Sequence, residues 1–529
     1  MHLLSLIEGL SRSAAFPYPV ESVEVQQTHI SVVFLAGEYV YKLKKPVNPG
    51  FLDFTTLEKR LHFCQEEVRL NRRLAPSVYE GVVPITETDG ALQFEGKGPA
   101  IEWAVKMRRL PASATLRERL RRGEVDERLV EMLAARIASF HRAAETSVRI
   151  ASFGRLEGVS RLVMDIYRQS LPQVGVTVSG RVFNRLRSLA EESLERLRPL
   201  IELRASRNVP RDCHGDLHLD HVYYFPDQAP PGDLVIIDCI EFNERFRFID
   251  PVADMAFPAM DLAYYGRRDL ARLFENAYFQ ASGDIEGRAL LAFYETYRAT
   301  VRGSVEGLLL AESEISEQER TSARARSRTH WLVALTLFEE PERRPCLLLV
   351  SGLPGTGKST LARALANRAN FVVIRSDQVR KQLARPDGEV ESIARLPESF
   401  YSAEWNERTY AECLRRAEHH LFEGERVLID ANFREEVQRK KFLDAAERSG
   451  VTGRLLICQA EPETIRHRLE GRLNDTSDAD WAVYQRATRQ WEEPISIDQR
   501  QVFKISTEGS TEEVVKSALA YLREIDLWR

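Results

Sequence analysis

Two stretches carry residue types at spacings that could do chemistry: GLPGTGKST at 352–360 and CHGDLHLDH at 213–221. In the first, Gly352, Gly355 and Gly357 let the backbone curl until its N–H groups face phosphate oxygens. Lys358 can neutralise those oxygens, and the Ser359 hydroxyl can supply a magnesium ligand. With Thr356 and Thr360 these residues make the expected nucleotide-phosphate set. The elements this loop requires are present: an apolar strand pattern at 346–350 before it and LARALA, a helical pattern, after it. Two carboxylates extend the site. Asp430 ends VLID and could hold magnesium through water, while Asp377 follows FVVIRS and could take a proton from a substrate hydroxyl; either could instead cap a helix. Arg468 and Arg472, with Asp475, Ser477 and Asp480 in the turn that follows, mark a lid near 468–483 whose arginines would stabilise a transferred phosphoryl group.

In the second stretch, Asp216 precedes a short strand pattern and Asp238 ends the next, LVIID at 234–238. Phosphoryl transfer needs one carboxylate to orient the acceptor and another to hold metal, and a tight strand pair can deliver both. Upstream, Lys42 on a strand and Glu67 on the following helix could form an ion pair that positions phosphates. His218 reads as an orienting or packed residue. Asp254 and Asp261 read as helix caps beneath the site, and Tyr264 and Tyr265 as core.

The elements around these residues change character along the chain. Strand patterns at 20–26, 30–36 and 38–44, a helix from Thr55 to Leu74, and strand patterns in VYEGVVPI, ALQFEG and IEWAVKMRRL predict a small sheet with one helix against it. Helical patterns fill 115–206 and 252–338, and the polar run at 311–330 reads as a solvated helix. The basic run LRERLRRG, Arg117 to Arg122, reads as a solvated face. After a boundary in EEPERRP at 339–345, apolar runs at 346–350, 371–375, 427–430, 454–458 and 502–506 alternate with helices, the pattern of a mostly parallel sheet covered on both faces. The expected division is 1–340, α+β, and 344–529, α/β with a P-loop, the two domains contacting each other.

A chain of 529 residues exceeds one ordinary core. Its 43% hydrophobic and 29% charged residues are those of a globular protein, and a formal charge of -5 permits nucleic acid without suggesting it. The six cysteines form no CxxC pair, no run reaches membrane-span length, and MHLLSLIEGL lacks a basic leader, so a cytoplasmic location without membrane contact is expected.

Residues 344–520 resemble the P-loop small-molecule kinases, the AAA-type group with gluconate kinase, chloramphenicol phosphotransferase, zeta toxins and polynucleotide 5'-kinases among its members. The likeness rests on GLPGTGKST, RSD at 375–377, VLIDANF at 427–433 and RLNDTSDAD at 472–480. It implies ATP and Mg2+ as cofactors, phosphoryl transfer as the reaction, Asp377 as the group that deprotonates the acceptor, and Arg472 as a phosphate clamp. Residues 15–330 resemble the aminoglycoside phosphotransferase family, a protein-kinase-like fold, on His214, Gly215, Asp216 and Asp238. That likeness implies Asp216 as the catalytic-loop aspartate, Asp238 as the principal magnesium ligand, Lys42 as the nucleotide lysine, and Glu67, or the adjacent Glu66, as its partner. Two departures stand out: His221 replaces the asparagine that family uses as a second metal ligand, and QQTHIS at 26–31 replaces a Gly-rich phosphate cover.

The expected function is ATP-dependent phosphotransfer to a hydroxyl of a small molecule, from one site or from two. The alternatives are an ATP-gated regulatory protein with a degenerate N-terminal domain, and a polynucleotide 5'-kinase.

Overall fold

The computed structural model describes residues 3–50, 52–312, 315–384, 397–471 and 481–529. Arg472, Asp475, Ser477 and Asp480 lie outside the described residues. The chain forms two compact units. The first comprises 1–162, 194–262 and 267–295; the second comprises 163–193, 263–266 and 296–529. Helical residues on either side of 339–345 thus group with the second unit.

The first unit is α+β. Its main sheet is built from β1 (Val23–Gln27), β2 (Ser31–Ala36), β3 (Tyr39–Lys44), β4 (Tyr79–Thr88), β5 (Ala91–Phe94) and β6 (Glu102–Arg108), in the order β1-β2-β3-β6-β4-β5 with every pair antiparallel. Alternation along β3 decides what each face carries. Tyr41 and Leu43 enter an aromatic core with Phe34, Phe94 and the helix Leu3–Leu10, leaving Lys42 and Lys44 for the face covered by the helix Leu57–Asn71. That helix starts on Thr56, whose side chain accepts from Lys59 N, and it buries Cys64, Glu67 and Val68. Two short antiparallel pairs follow: β7 (Arg211–Asp212) and β8 (Val222–Tyr224) pair with β10 (Phe248–Ile249) and β9 (Leu234–Ile236) respectively. Asp238 therefore stands two residues beyond its strand rather than at its end, because the backbone there turns to φ +64°.

The second unit carries a five-stranded sheet of β11 (Cys346–Ser351), β12 (Phe371–Arg375), β13 (Arg426–Asp430), β14 (Thr452–Gln459) and β15 (Val502–Ser506). Its order is β12-β13-β11-β14-β15 and every pair is parallel. All six residues of β11 are buried, as expected of a central strand with helices on both faces. Leu361, Leu365, Val515 and Leu522 pack against Leu348, Val350 and Leu456 on one side.

The polar run at 311–330 meets its expectation in part. From Glu317 it is a helix, Glu317–Phe338, whose polar half is largely exposed, but Ala323, Ser327 and His330 are buried in line with Ala334, and the His330 ring stacks on Tyr264 at 4.0 Å. Small and aromatic polar side chains make a buried stripe here that apolar periodicity alone does not reveal. No helix among the described residues is long and apolar enough to cross a membrane.

Candidate functional site

In the second unit the phosphate loop joins β11 to the helix Lys358–Ala369. Gly352, Gly355 and Gly357 all take positive φ, at 142°, 84° and 83°. At Gly352 a Cβ would sit 2.5 Å from the Cys458 carbonyl oxygen, and at Gly355 one would sit 2.8 Å from Ile465 Cγ2, so both positions also need the missing side chain. Lys358 Nζ donates to the Leu353 carbonyl at 2.9 Å, as does the Thr356 hydroxyl at 2.7 Å. Ser359 lies in the first turn of the helix beside them, whereas Thr360 is exposed. The Thr507 hydroxyl donates to Thr356 O at 2.8 Å, and Arg468 donates to Thr507 from both Nη atoms, at 3.2 and 2.5 Å. Arg468 thereby ties the end of β15 to the loop; Thr507 was not anticipated from the sequence.

Asp430 ends β13 as expected. It is buried and accepts from Arg375 Nε at 3.2 Å. Asp377 stands in the first turn of the helix Ser376–Leu383 that follows β12. Burial raises its pKa, the nearby Asp430 adds to the rise, and Lys358, Arg380 and Arg375 oppose it. Arg380 is itself held by Phe400 O and Asn406 Oδ1, each at 2.8 Å. Lys358 and Asp430 are thus both close enough to act electrostatically on Asp377.

The first unit assembles its charged network from three separate segments. Lys42 Nζ lies 2.9 Å from Glu67 Oε1 and 2.7 Å from Asp238 Oδ1. Glu67 is the partner rather than Glu66, which pairs outward with Arg69 at 2.7 Å. Glu67 also accepts from Lys44 at 2.7 Å, and Lys44 makes a second, short contact with Glu241. Lys44, Glu67 and Glu241 are all buried. Burial opposes the charge on Lys42, but Asp238 and Glu67 outweigh it and raise its pKa. Burial likewise disfavours ionised Glu67, yet Lys42 and Lys44 hold its pKa low. Burial raises Glu241 against the pull of Lys44, so Glu67 is the stronger acid of the two. Against the desolvation of its site, Lys42 above all holds the Asp238 carboxyl well below the usual carboxylate range. Lys44 and Glu241 were missed in the sequence. The signal was there in the alternation Lys42-x-Lys44, which puts both ammonium groups on one face of β3.

The loop between β7 and β8 carries Asp216, His218 and His221. Gly215 turns it at φ +90°, where a Cβ would meet Phe246 O at 2.8 Å. The loop is held from below by the helix Pro251–Tyr264: Asp254 accepts the N–H groups of His214 and Gly215 at 2.9 and 2.8 Å, and Asp261 accepts that of Leu219 at 2.8 Å. These aspartates support the site, as expected, through the loop's main chain rather than by capping helix starts. Asp254 is further contacted by His141 Nε2 at 3.1 Å. The buried His214 ring donates from Nε2 to Ile237 O at 2.9 Å and accepts the Asp216 N–H at Nδ1, 3.3 Å; burial pushes its pKa down to about 4. His221 Nδ1 meets Asp216 O at 2.9 Å, and its Nε2 faces Asp238 Oδ2 at 3.5 Å. The His218 and His221 rings lie 3.8 Å apart.

Comparison with known proteins bears on both units. The family described as AAA domain matches residues 347–494. The uncharacterized protein Rv2004c of Mycobacterium tuberculosis is 31% identical over 459 residues, 86% of this chain and 88% of that one; the uncharacterized protein Mb2027c of Mycobacterium bovis gives the same values. Among solved structures, a gluconokinase from Sinorhizobium meliloti 1021 aligns with 34% of this chain and 93% of its own, at 16% identity and a TM-score of 0.27. An α+β unit precedes a P-loop, AAA-type α/β unit, and the chain belongs to the same family as these two mycobacterial proteins.

Proposed function

We propose that the chain is an ATP-dependent phosphotransferase whose second unit moves a phosphoryl group onto a hydroxyl of a small molecule. The observation that carries this reading is the placement of Asp377, a carboxylate with a raised pKa, within electrostatic reach of the P-loop lysine and of Asp430. A raised pKa makes Asp377 a stronger base toward the acceptor hydroxyl. Asp377 takes that proton as the hydroxyl oxygen bonds to the terminal phosphorus and the bond to the bridging oxygen breaks, releasing ADP. Lys358 and the loop N–H groups hold the phosphate oxygens and stabilise the charge that spreads over them. Ser359 and Asp430 offer a hydroxyl and a carboxylate oxygen, a hard donor set that fits Mg2+. When bound, that ion draws charge off the phosphate oxygens. Arg468 positions the loop through Thr507, and Arg472 is assigned the clamp.

The expected result is ATP-dependent phosphorylation of a member of a hydroxylated-metabolite panel by the full chain, falling at least about 100-fold in Asp377→Asn. Product formation unchanged by that substitution would overturn the assignment. Hydrolysis that is independent of any acceptor would favour a regulatory switch, and product confined to oligonucleotide ends would favour the polynucleotide 5'-kinase.

A second active site in the first unit is favoured by the Lys42, Glu67 and Asp238 contacts. There Lys42 binds phosphate, Asp216 orients the acceptor, and Asp238 serves as a metal ligand, the arrangement of the aminoglycoside phosphotransferase family. Product that survives Asp377→Asn but is lost in Asp216→Asn would assign turnover to it.

A further inference from the structure

The metal position of the first unit is not built for magnesium. His221 Nδ1 lies 2.9 Å from the Asp216 carbonyl oxygen, which can only accept, so Nδ1 carries the hydrogen. In the neutral ring Nε2 is then a lone pair, and it faces Asp238 Oδ2 at 3.5 Å. The other oxygen of Asp238 is engaged by Lys42 at 2.7 Å, which fixes how the carboxylate presents Oδ2. At that separation the pair is longer than a hydrogen bond through a proton on Nε2, and two acceptors aimed at each other repel unless a metal cation lies between them. Two ligand atoms each about 2.1 Å from one ion, at the angles of tetrahedral or octahedral coordination, stand roughly 3–3.5 Å apart, which this pair matches. A histidine whose second nitrogen donates to a backbone carbonyl is the usual form of a metal-bound imidazole, because that bond fixes ring and tautomer. Asp216, His218 and His221 also bring one ligand atom each to within 4.8 Å of one another beside this pair. Mg2+ selects oxygen donors and sheds water reluctantly, whereas imidazole nitrogen favours first-row transition ions.

We infer that the first unit binds a divalent first-row transition cation in preference to Mg2+, through His221 Nε2 and Asp238 Oδ2. The inference rests on reading this unit as a phosphotransfer-type site, but its test does not depend on turnover.

Mn2+ is the probe, since it is the weakest binder of its series and paramagnetic. With the nucleotide-free full chain, electron spin-echo spectra of bound Mn2+ should carry 14N modulation from imidazole. The P-loop candidates, Ser359 and Asp430, offer only oxygen and would give none. The modulation should vanish in His221→Asn, with His221→Gln as the second variant should the first fail to fold, and it should persist in His218→Asn. A tenfold excess of Mg2+ should leave the 14N-modulated Mn2+ in place in the native chain and displace Mn2+ from His221→Asn. Mn2+ bound without 14N modulation, modulation that survives both substitutions at 221, or ready displacement by Mg2+ in the native chain would each overturn the inference. Nitrogen-ligated Mn2+ in a chain whose first unit transfers no phosphate would keep the inference and sink the second-active-site reading.

Discussion

The two candidate sites handle negative charge by opposite means. In the second unit the positive end of the site is mostly main chain: a loop held at positive φ by three glycines, a helix start, and one lysine. In the first unit it is side chain: Lys42 and Lys44 on alternate positions of β3, neutralised by Glu67 from the helix and by Asp238 and Glu241 from the loop after β9. A main-chain site tolerates changes around it but not an added Cβ; a buried side-chain network tolerates backbone adjustment but not the loss of one charge.

That contrast can be broken most forcefully at Lys44. Lys44→Met leaves Glu241 buried without its cation and should cost about 3–5 kcal/mol in denaturant unfolding of the first unit; adding Glu241→Leu should recover most of the loss. A small effect of the single change would mean the network is solvated and the contrast false. The next largest effect is set by pH. His214 is neutral in the fold because burial lowers its pKa to about 4 from an ordinary 6.5, so the unfolded chain takes up a proton first. The stability it contributes is complete above pH 6.5 and drains away as pH falls toward 4, by about 3 kcal/mol across that window. Unfolding free energies at pH 7 and pH 4.5 should show the loss, and His214→Asn should reduce it; protonating Nδ1 would also break its bond with Asp216 N–H.

On the main-chain side, Gly352→Ala forces a methyl against Cys458 O and should cost about 1–3 kcal/mol locally. Calorimetry should register this as at least tenfold weaker ATP binding, with global unfolding moved less than by Lys44→Met. The smallest effect is expected at Asn370, which follows the phosphate-loop helix at φ +55°. Asn370→Gly should change thermal stability by under about 1 kcal/mol, since glycine takes that conformation without strain.

The same contrast governs what the sequence reveals. The phosphate loop is contiguous, and its flanking strand and helix were readable along with the five strands of the second unit. Asp377 and Asp430 were legible because parallel strands deliver their ends to one edge. The Lys44 partners lie 23 and 197 residues away, so no local pattern names them, although the two-residue spacing of the lysines hinted at a shared face. Asp254 was read as a helix cap because its acceptor role depends on a loop forty residues upstream. The stripe Ala323, Ser327, His330 escaped because its members are small or polar, and burial there depends on neighbours such as Tyr264.

The central position of β11 has a consequence for synthesis on the ribosome. Its two neighbours are β13, with Arg426 opposite Cys346, and β14, with Thr452 opposite Cys346. A nascent chain therefore exposes the apolar strand CLLLVS with both edges open until Asp430 emerges and with one edge open until the segment beyond Thr452 does, on the order of ten seconds at ordinary elongation rates. Such a strand is a template for mispairing. Chaperone shielding of this interval, rather than the stability of the finished fold, is what should limit the yield of the second unit in a cell.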